Sequence, residues 1–266
     1  MSKPELPFSP VTLSEYDGVR YLHLDSIWVQ GAMMIRRPQV VVLEYVQRML
    51  ASLLWRPTAA LSQGRAVQLG LGAGAITRFT LKALKMPTTV VELNPMVVDV
   101  NRLRFHLPQG DPRLDVVVAD AGAWLRDAEP GSASLLHVDL YDHEAAAPVL
   151  DDERFYADCH RLLEDGAGDG EGDGDSGGVF SVNLFGRDAS CAASTARIAA
   201  VFGAQNTWQL RATREGNTVV VATRGAAWPE REERLRRADT IEARFGALGL
   251  PARKWLRLVR PYEPAP

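Results

Sequence analysis

Cysteine is scarce: the 266-residue chain has two, Cys159 and Cys191, and no C-x-x-C pair. A zinc site built on thiolates is therefore not expected. Two lone thiols also point to a reducing compartment rather than a disulfide scaffold. Long apolar runs are missing as well, and no stretch approaches the ~20 apolar residues needed to span a bilayer. The first residues, MSKPELPFSP, hold one lysine and no apolar core, unlike a secretory signal. The cytoplasm is the expected location. No sign of charge dominates either. A formal net charge of −3 gives no electrostatic reason to expect nucleic acid. The basic stretch 231–237 is interrupted by Glu232 and Glu233 and reads as a solvated helix face.

Core material is plentiful. Hydrophobic residues make up 46% and charged residues 24%, the balance of a globular chain with a sizeable core. Residues 1–60 read as a hairpin and a helix. VRYLHL (Val19–Leu24) alternates like a strand, and 27–30 reads as its return strand. After Pro38, apolar residues at Val42, Tyr45, Val46, Met49, Leu50, Leu53 and Leu54 have helical spacing, which Pro57 ends.

From residue 65 strands and helices alternate. Strands are expected at 66–69, 89–92, 114–118, 135–140 and 179–184, and helices at 75–84, 97–103, 121–126 and 153–163. Short apolar strands separated by helices imply a doubly wound, mostly parallel α/β sheet covered on both faces. Runs 207–212 and 218–223, joined at Glu215-Gly216-Asn217, should pair antiparallel and complete seven strands. A helix over 230–248 closes the domain, which is assigned to 61–266. The segment 166–178, GAGDGEGDGDSGG, has almost nothing to bury and reads as a mobile loop rather than a calcium site.

Three features along this α/β pattern suggest a nucleoside site. Gly70, Gly72 and Gly74 turn the chain off a strand and let a ligand approach the backbone. Thr77 stands where the dinucleotide fingerprint needs a third spaced glycine, which disfavours a nicotinamide cofactor. Glu92, at the end of the next strand, can accept the two hydroxyls of a ribose, or cap the helix after Asn94-Pro95. Asp120, with the amide of Ala121, can read adenine, and Asp120 can cap a helix at the same time. A fourth feature carries chemistry. Asp139 and Asp142 sit at the expected ligand crevice, and a carboxylate there can take the proton of an ammonium nucleophile, whose pKa is ~10. His137 reads as a strand residue. His143 and Glu144 match no standard metal spacing, and no metal is expected.

The order LHLDSIWVQ, LGLGAG, VVELNP, VVVADA, VDLYD and ERFY, over residues 21–183, resembles the polyamine aminopropyltransferases. That spermidine synthase family is a branch of the class I S-adenosylmethionine-dependent methyltransferase fold. The resemblance implies a transferase that uses an adenosyl sulfonium donor to alkylate a small amine. It places Gln30, Gly70, Gly72, Gly74, Glu92, Asp120 and Ala121 at the donor. It makes Asp139 the general base and Asp142 an amine ligand. It implies a homodimer or homotetramer, with 1–60 serving as oligomerisation surface and lid.

Two positions depart from the family. Ala73 stands where the family's glycine turn carries an aspartate that grips the aminopropyl ammonium of decarboxylated S-adenosylmethionine. Its absence removes a repulsion on the carboxylate of intact S-adenosylmethionine, so that donor is admitted too. Arg36 and Arg37 stand in the segment where the family has acidic, tyrosine-containing sequence, and they are expected to repel a diamine. The alternatives are therefore a methyltransferase on the same fold, or a non-catalytic member that binds only the nucleoside.

Overall fold

The computed structural model describes residues 8–140, 150–166, 177–186 and 188–264. The chain opens with three antiparallel strands, β1 (Val11–Tyr16), β2 (Val19–Leu24) and β3 (Gly31–Met34). Asp17 and Gly18 join β1 to β2 with φ of 47° and 73°. Positive φ at both positions is what a two-residue hairpin turn requires. The expected return strand at 27–30 is corrected: it begins at Gly31, and β1 precedes the pair as an extra strand. Asp25 leaves β2 at φ 48°, and the Gln30 amide donates back to the Leu22 carbonyl at 2.8 Å. The intervening loop holds Ile27, Trp28 and Val29 out of the sheet, all three exposed.

The expected long helix after Pro38 is shorter than its periodicity suggests. It forms α1 (Glu44–Met49) and then a 3₁₀ segment, Leu50–Trp55, whose residues are all buried. Together they supply Met49, Leu53 and Trp55 to one face of the large sheet.

That sheet contains β4 (Ala66–Leu69), β5 (Thr88–Glu92), β6 (Leu114–Val118), β7 (Leu135–Val138) and β8 (Gly178–Phe185), parallel and in the order β8-β7-β4-β5-β6. β9 (Thr207–Leu210) and β10 (Asn217–Arg224) follow, with β10 antiparallel to both β8 and β9. An eighth strand, β11 (Val259–Pro261), pairs with the outer edge of β9, so the sheet exceeds the expected seven. Between the strands run α2 (Ala75–Arg78), α3 (Pro95–Arg104), α4 (Ala121–Asp127), α5 (Glu153–Leu162) and α6 (Asp188–Phe202). Then come α7 (Arg231–Phe245) and α8 (Ala252–Trp255). α2 continues as a π-type turn over Phe79–Ala83. No helix among the described residues is long and apolar enough to cross a membrane.

Side-chain caps set several of these starts. Asn94, Asp120 and Asp152 accept the amides of Met96, Ala123 and Phe155 at 3.0, 2.7 and 2.7 Å. Such caps satisfy amides the helix itself leaves unpaired. The basic face of α7 is less solvated than its sequence suggests. Arg237 is buried, bonded to Glu233 at 2.7 Å and to the Leu54 carbonyl.

Apolar residues cover both faces of the sheet. A third cluster, including Leu22, Met33, Leu71, Ala73, Val90 and Val97, packs the small sheet onto the glycine turn. β4 therefore lies between β7 and β5, where the strand order reverses, and the loop after β2 overhangs that point. Ligands of open α/β sheets bind outside the carboxyl ends of the strands at such a reversal.

Candidate active site

The glycine turn follows β4. Gly70, Gly72 and Gly74 have φ of 85°, 52° and 66°, which side chains disfavour. Protein backbone also occupies the space that side chains would need. A Cβ on Gly70 would overlap the Asp139 carbonyl oxygen, and one on Gly72 would lie 2.8 Å from the Gln30 carbonyl oxygen. The glycines thus let three segments meet: the turn, the loop after β2, and the end of β7. From below, Asn101 donates to the Gly72 carbonyl at 2.7 Å, and Arg78 donates to the carbonyls of Ala73 and Phe105 at 2.6 and 2.9 Å. Burial pushes the Arg78 guanidinium down to about 10. Thr77 is buried and donates to Gln68 at 2.5 Å, so it braces α2 on β4.

A cavity of about 110 Å³ opens beside this turn. It brings together Gln30, Gly70, Gly72, Glu92, Asp120, Ala121 and Asp139. Gly74 does not line it; a Cβ there would face the Asn101 side chain at 2.8 Å. Asp142, His143, Glu144 and most of the expected mobile loop lie outside the described residues.

Glu92 is partly buried at the end of β5. One carboxylate oxygen accepts the Leu71 amide at 2.9 Å and the other the Asn94 amide at 2.8 Å. Burial raises its pKa, and these amides oppose the rise. The Leu93 amide bonds the carboxylate as well, and of its roughly four lone-pair sites at least one stays open to a ligand. Asp120 is exposed at the mouth, where its capping bond to Ala123 uses one oxygen.

Asp139 follows β7. Its two carboxylate oxygens accept from Tyr45 Oη at 3.1 Å and from Asn183 Nδ2 at 2.9 Å. Asn183 Oδ1 accepts in turn from Asn217 Nδ2 at 3.1 Å. Burial raises the Asp139 pKa, opposed by Asn183 and then Tyr45. A carboxylate with a raised pKa is a better proton acceptor than one at the ordinary value. His137, two residues earlier, is fully buried on β7, and burial pushes its imidazole down to about 4, so it is neutral. No motif in the sequence marks Tyr45, Asn183 or Asn217 as a site residue. They come from α1, β8 and β10, and only the fold converges them on Asp139.

A second cavity, about 260 Å³, also reaches Asp139. Its walls include Ile27, Trp28, Val29, Leu43, Tyr45 and Phe185. Arg36 and Arg37 line none of the cavities at Asp139. Arg37 instead donates to the Ala247 carbonyl at 2.8 Å, so the expected repulsion of a diamine has no local basis. Ala73 is buried and lines a small space next to Asp139, with its backbone and Cβ against Gly31 of β3. Both cysteines are buried and neither forms a disulfide. Among the described residues, no group of three His, Cys, Asp or Glu side chains could hold a metal ion.

Comparison with known proteins follows this geometry. No family model matches the sequence. A polyamine aminopropyltransferase of Chromobacterium violaceum is 32% identical over 238 residues, which is 89% of this chain and 85% of that protein. A probable spermidine synthase from Corynebacterium glutamicum superimposes with a TM-score of 0.71 at 19% identity, covering 92% of this chain and 86% of the other. Human methyltransferase-like protein 13, solved in complex with SAH, superimposes at 0.62 with 21% identity, covering 77% and 93%. The two structures share the methyltransferase-like fold with this chain. The sequence relation goes further, because it is near one third identical and spans nearly all of both proteins: the chain belongs to the polyamine aminopropyltransferase family.

Proposed function

We propose that the protein transfers an aminopropyl group from decarboxylated S-adenosylmethionine to a small amine. The observation that carries this reading is the partly buried Asp139 carboxylate, which lines both the cavity of Glu92 and Asp120 and the cavity of Trp28 and Phe185. The donor occupies the first cavity. Glu92 accepts the ribose hydroxyls, Asp120 and the Ala121 amide read the adenine, and Gln30 with Gly70 and Gly72 closes over the sulfur end. The amine enters by the second cavity.

In the reaction, the nitrogen lone pair attacks the propyl carbon bonded to sulfur. The C–N bond forms as the C–S bond breaks, and its electron pair returns to sulfur as the thioether methylthioadenosine. The nitrogen lone pair is free only after Asp139 has accepted a proton from the incoming ammonium, and the alkylated product keeps its two remaining protons as a secondary ammonium. The raised pKa of Asp139 suits this role because it narrows the gap to the amine. We assign the small N-terminal sheet, whose β1 is exposed along most of its length, as lid and assembly surface.

Ala73 favours a second reading, methyl transfer from intact S-adenosylmethionine, because no carboxylate at that position repels the donor's own. The mass of the amine product separates the two. Incubation with decarboxylated donor and a diamine should add an aminopropyl group to the amine. No mass gain with that donor, together with a methyl gain from intact S-adenosylmethionine, would replace the first reading by the second.

A further inference from the structure

Three consecutive residues, Leu150, Asp151 and Asp152, lead into α5, and each meets a different neighbour. Leu150 lines the cavity of Glu92 and Asp120, together with Ala121 and Leu140. It lies against the first turn of α4, where a Cβ on Gly122 would be 3.4 Å from Leu150 Cδ1. Asp152 caps α5. Asp151 does not line the cavity and instead bonds two helices. One of its oxygens accepts Tyr156 Oη of α5 at 2.7 Å. The other accepts Ser194 Oγ and Arg197 Nη1 of α6, both at 2.8 Å. The Asp151 side chain is 22% exposed, and Tyr156 is fully buried with its ring edge-on to Phe180 of β8.

The cavity wall and this clamp share a backbone. Leu150 cannot shift without moving the peptide that carries Asp151, and three donors from two helices hold the Asp151 carboxylate. The Arg197 bond is charge-assisted, which makes it stronger than a neutral one. α6 has no strong apolar stripe, so these polar bonds carry part of its attachment to the segment before α5. We propose that Asp151 is a positioning residue for the nucleoside: its clamp on α5 and α6 fixes Leu150 as an apolar wall of the donor cavity. The inference rests on the donor site proposed above. A nucleoside seated there takes its own apolar surface, and that of Leu150, out of water. Asp151 touches no part of it and acts only through Leu150.

The test is a double-mutant cycle read by calorimetric titration with methylthioadenosine. Leu150→Ala should weaken binding about fivefold through lost apolar contact. Asp151→Ala should weaken it by about the same factor, because Leu150 is no longer held. The double variant should also lose only about fivefold, whereas independent effects would multiply to roughly 25-fold. Titration reads the folded protein, so a general loss of stability leaves the affinity unchanged. If Asp151→Ala does not fold, Asp151→Asn takes its place: it keeps an acceptor for Tyr156 but gives up the ion pair to Arg197, and should weaken binding about twofold. Unchanged affinity in the Asp151 variant, or losses that multiply in the double variant, overturns the role. If Leu150→Ala weakens binding and the Asp151 variant does not, this inference alone falls. If the unmodified protein binds no methylthioadenosine, the donor site falls and the role of Asp151 falls with it.

Discussion

Glu92 and Asp139 are both carboxylates at the carboxyl edge of the sheet, after strands that flank β4, yet they are held differently. Glu92 is gripped by the amides of Leu71 and Asn94, which the backbone fixes as donors. Asp139 is gripped by the side chains of Tyr45 and Asn183, which arrive from distant elements. Burial raises the pKa of both. The backbone-held acid suits a fixed task, presenting lone pairs to a ligand. The side-chain-held acid suits a proton acceptor, whose partners can adjust when its charge changes.

Replacing each acid by its amide is the most severe way to break this comparison. Asp139→Asn should lower kcat by about 10²–10⁴-fold, the usual contribution of general base catalysis. Its thermal midpoint should not fall. The Tyr45 hydroxyl can turn from donor to acceptor, so the new amide finds partners. A carboxylate whose folded pKa is raised also favours the folded state at low pH and loses that contribution as pH rises through the folded value. Removing its charge therefore relieves a cost at neutral pH. Thermal melts at neutral pH beside steady-state kinetics check both halves.

Glu92→Gln should behave differently. Loss of a charged acceptor for two hydroxyls should weaken methylthioadenosine binding on the order of 10- to 100-fold. One amide hydrogen of the glutamine must also face the fixed N–H of Leu71 or Asn94, so stability should drop by about 1–3 kcal/mol. Equal melting behaviour in the two amide variants would erase the distinction drawn here.

A smaller effect sharpens the acceptor side. The acidic limb of kcat/KM should lie above the ordinary carboxylate range, because Asp139 must be ionised to accept a proton and burial raises its pKa. Asn183→Leu removes the stronger of the two opposing hydrogen bonds and should move the limb to higher pH; Tyr45→Phe should move it less in the same direction. A shift downward in either variant would contradict that assignment. The smallest effect is expected from Arg36→Ala and Arg37→Ala, which should leave the amine KM unchanged, since neither side chain lines the cavities at Asp139.

The same contrast explains what could be read from sequence. Donor-side features lie where a strand, a turn and a helix meet, and their spacing along the chain is their spacing in space. Gly70, Gly72, Glu92, Asp120 and Ala121 therefore meet at one cavity. Gly74 shows the limit of spacing: it turns the chain but faces Asn101 rather than the cavity. Acceptor-side partners are separated by up to 172 residues, from Tyr45 to Asn217, and only the fold joins them.

Other misses have local causes. Asp17-Gly18 was a hairpin signal, but β1 is exposed along one edge and lacks a clear buried face. α6 is rich in alanine, serine and threonine and has no strong apolar stripe. Arg36 and Arg37 stand in the segment that corresponds to the family's acidic stretch, yet the chain directs Arg37 to the Ala247 carbonyl.

The most direct test of the transfer itself offers both donors at once. Equimolar intact and decarboxylated S-adenosylmethionine are incubated with the protein and a diamine, and the thioether released is identified by mass. The account predicts methylthioadenosine in step with aminopropylated amine. S-adenosylhomocysteine with methylated amine would contradict it.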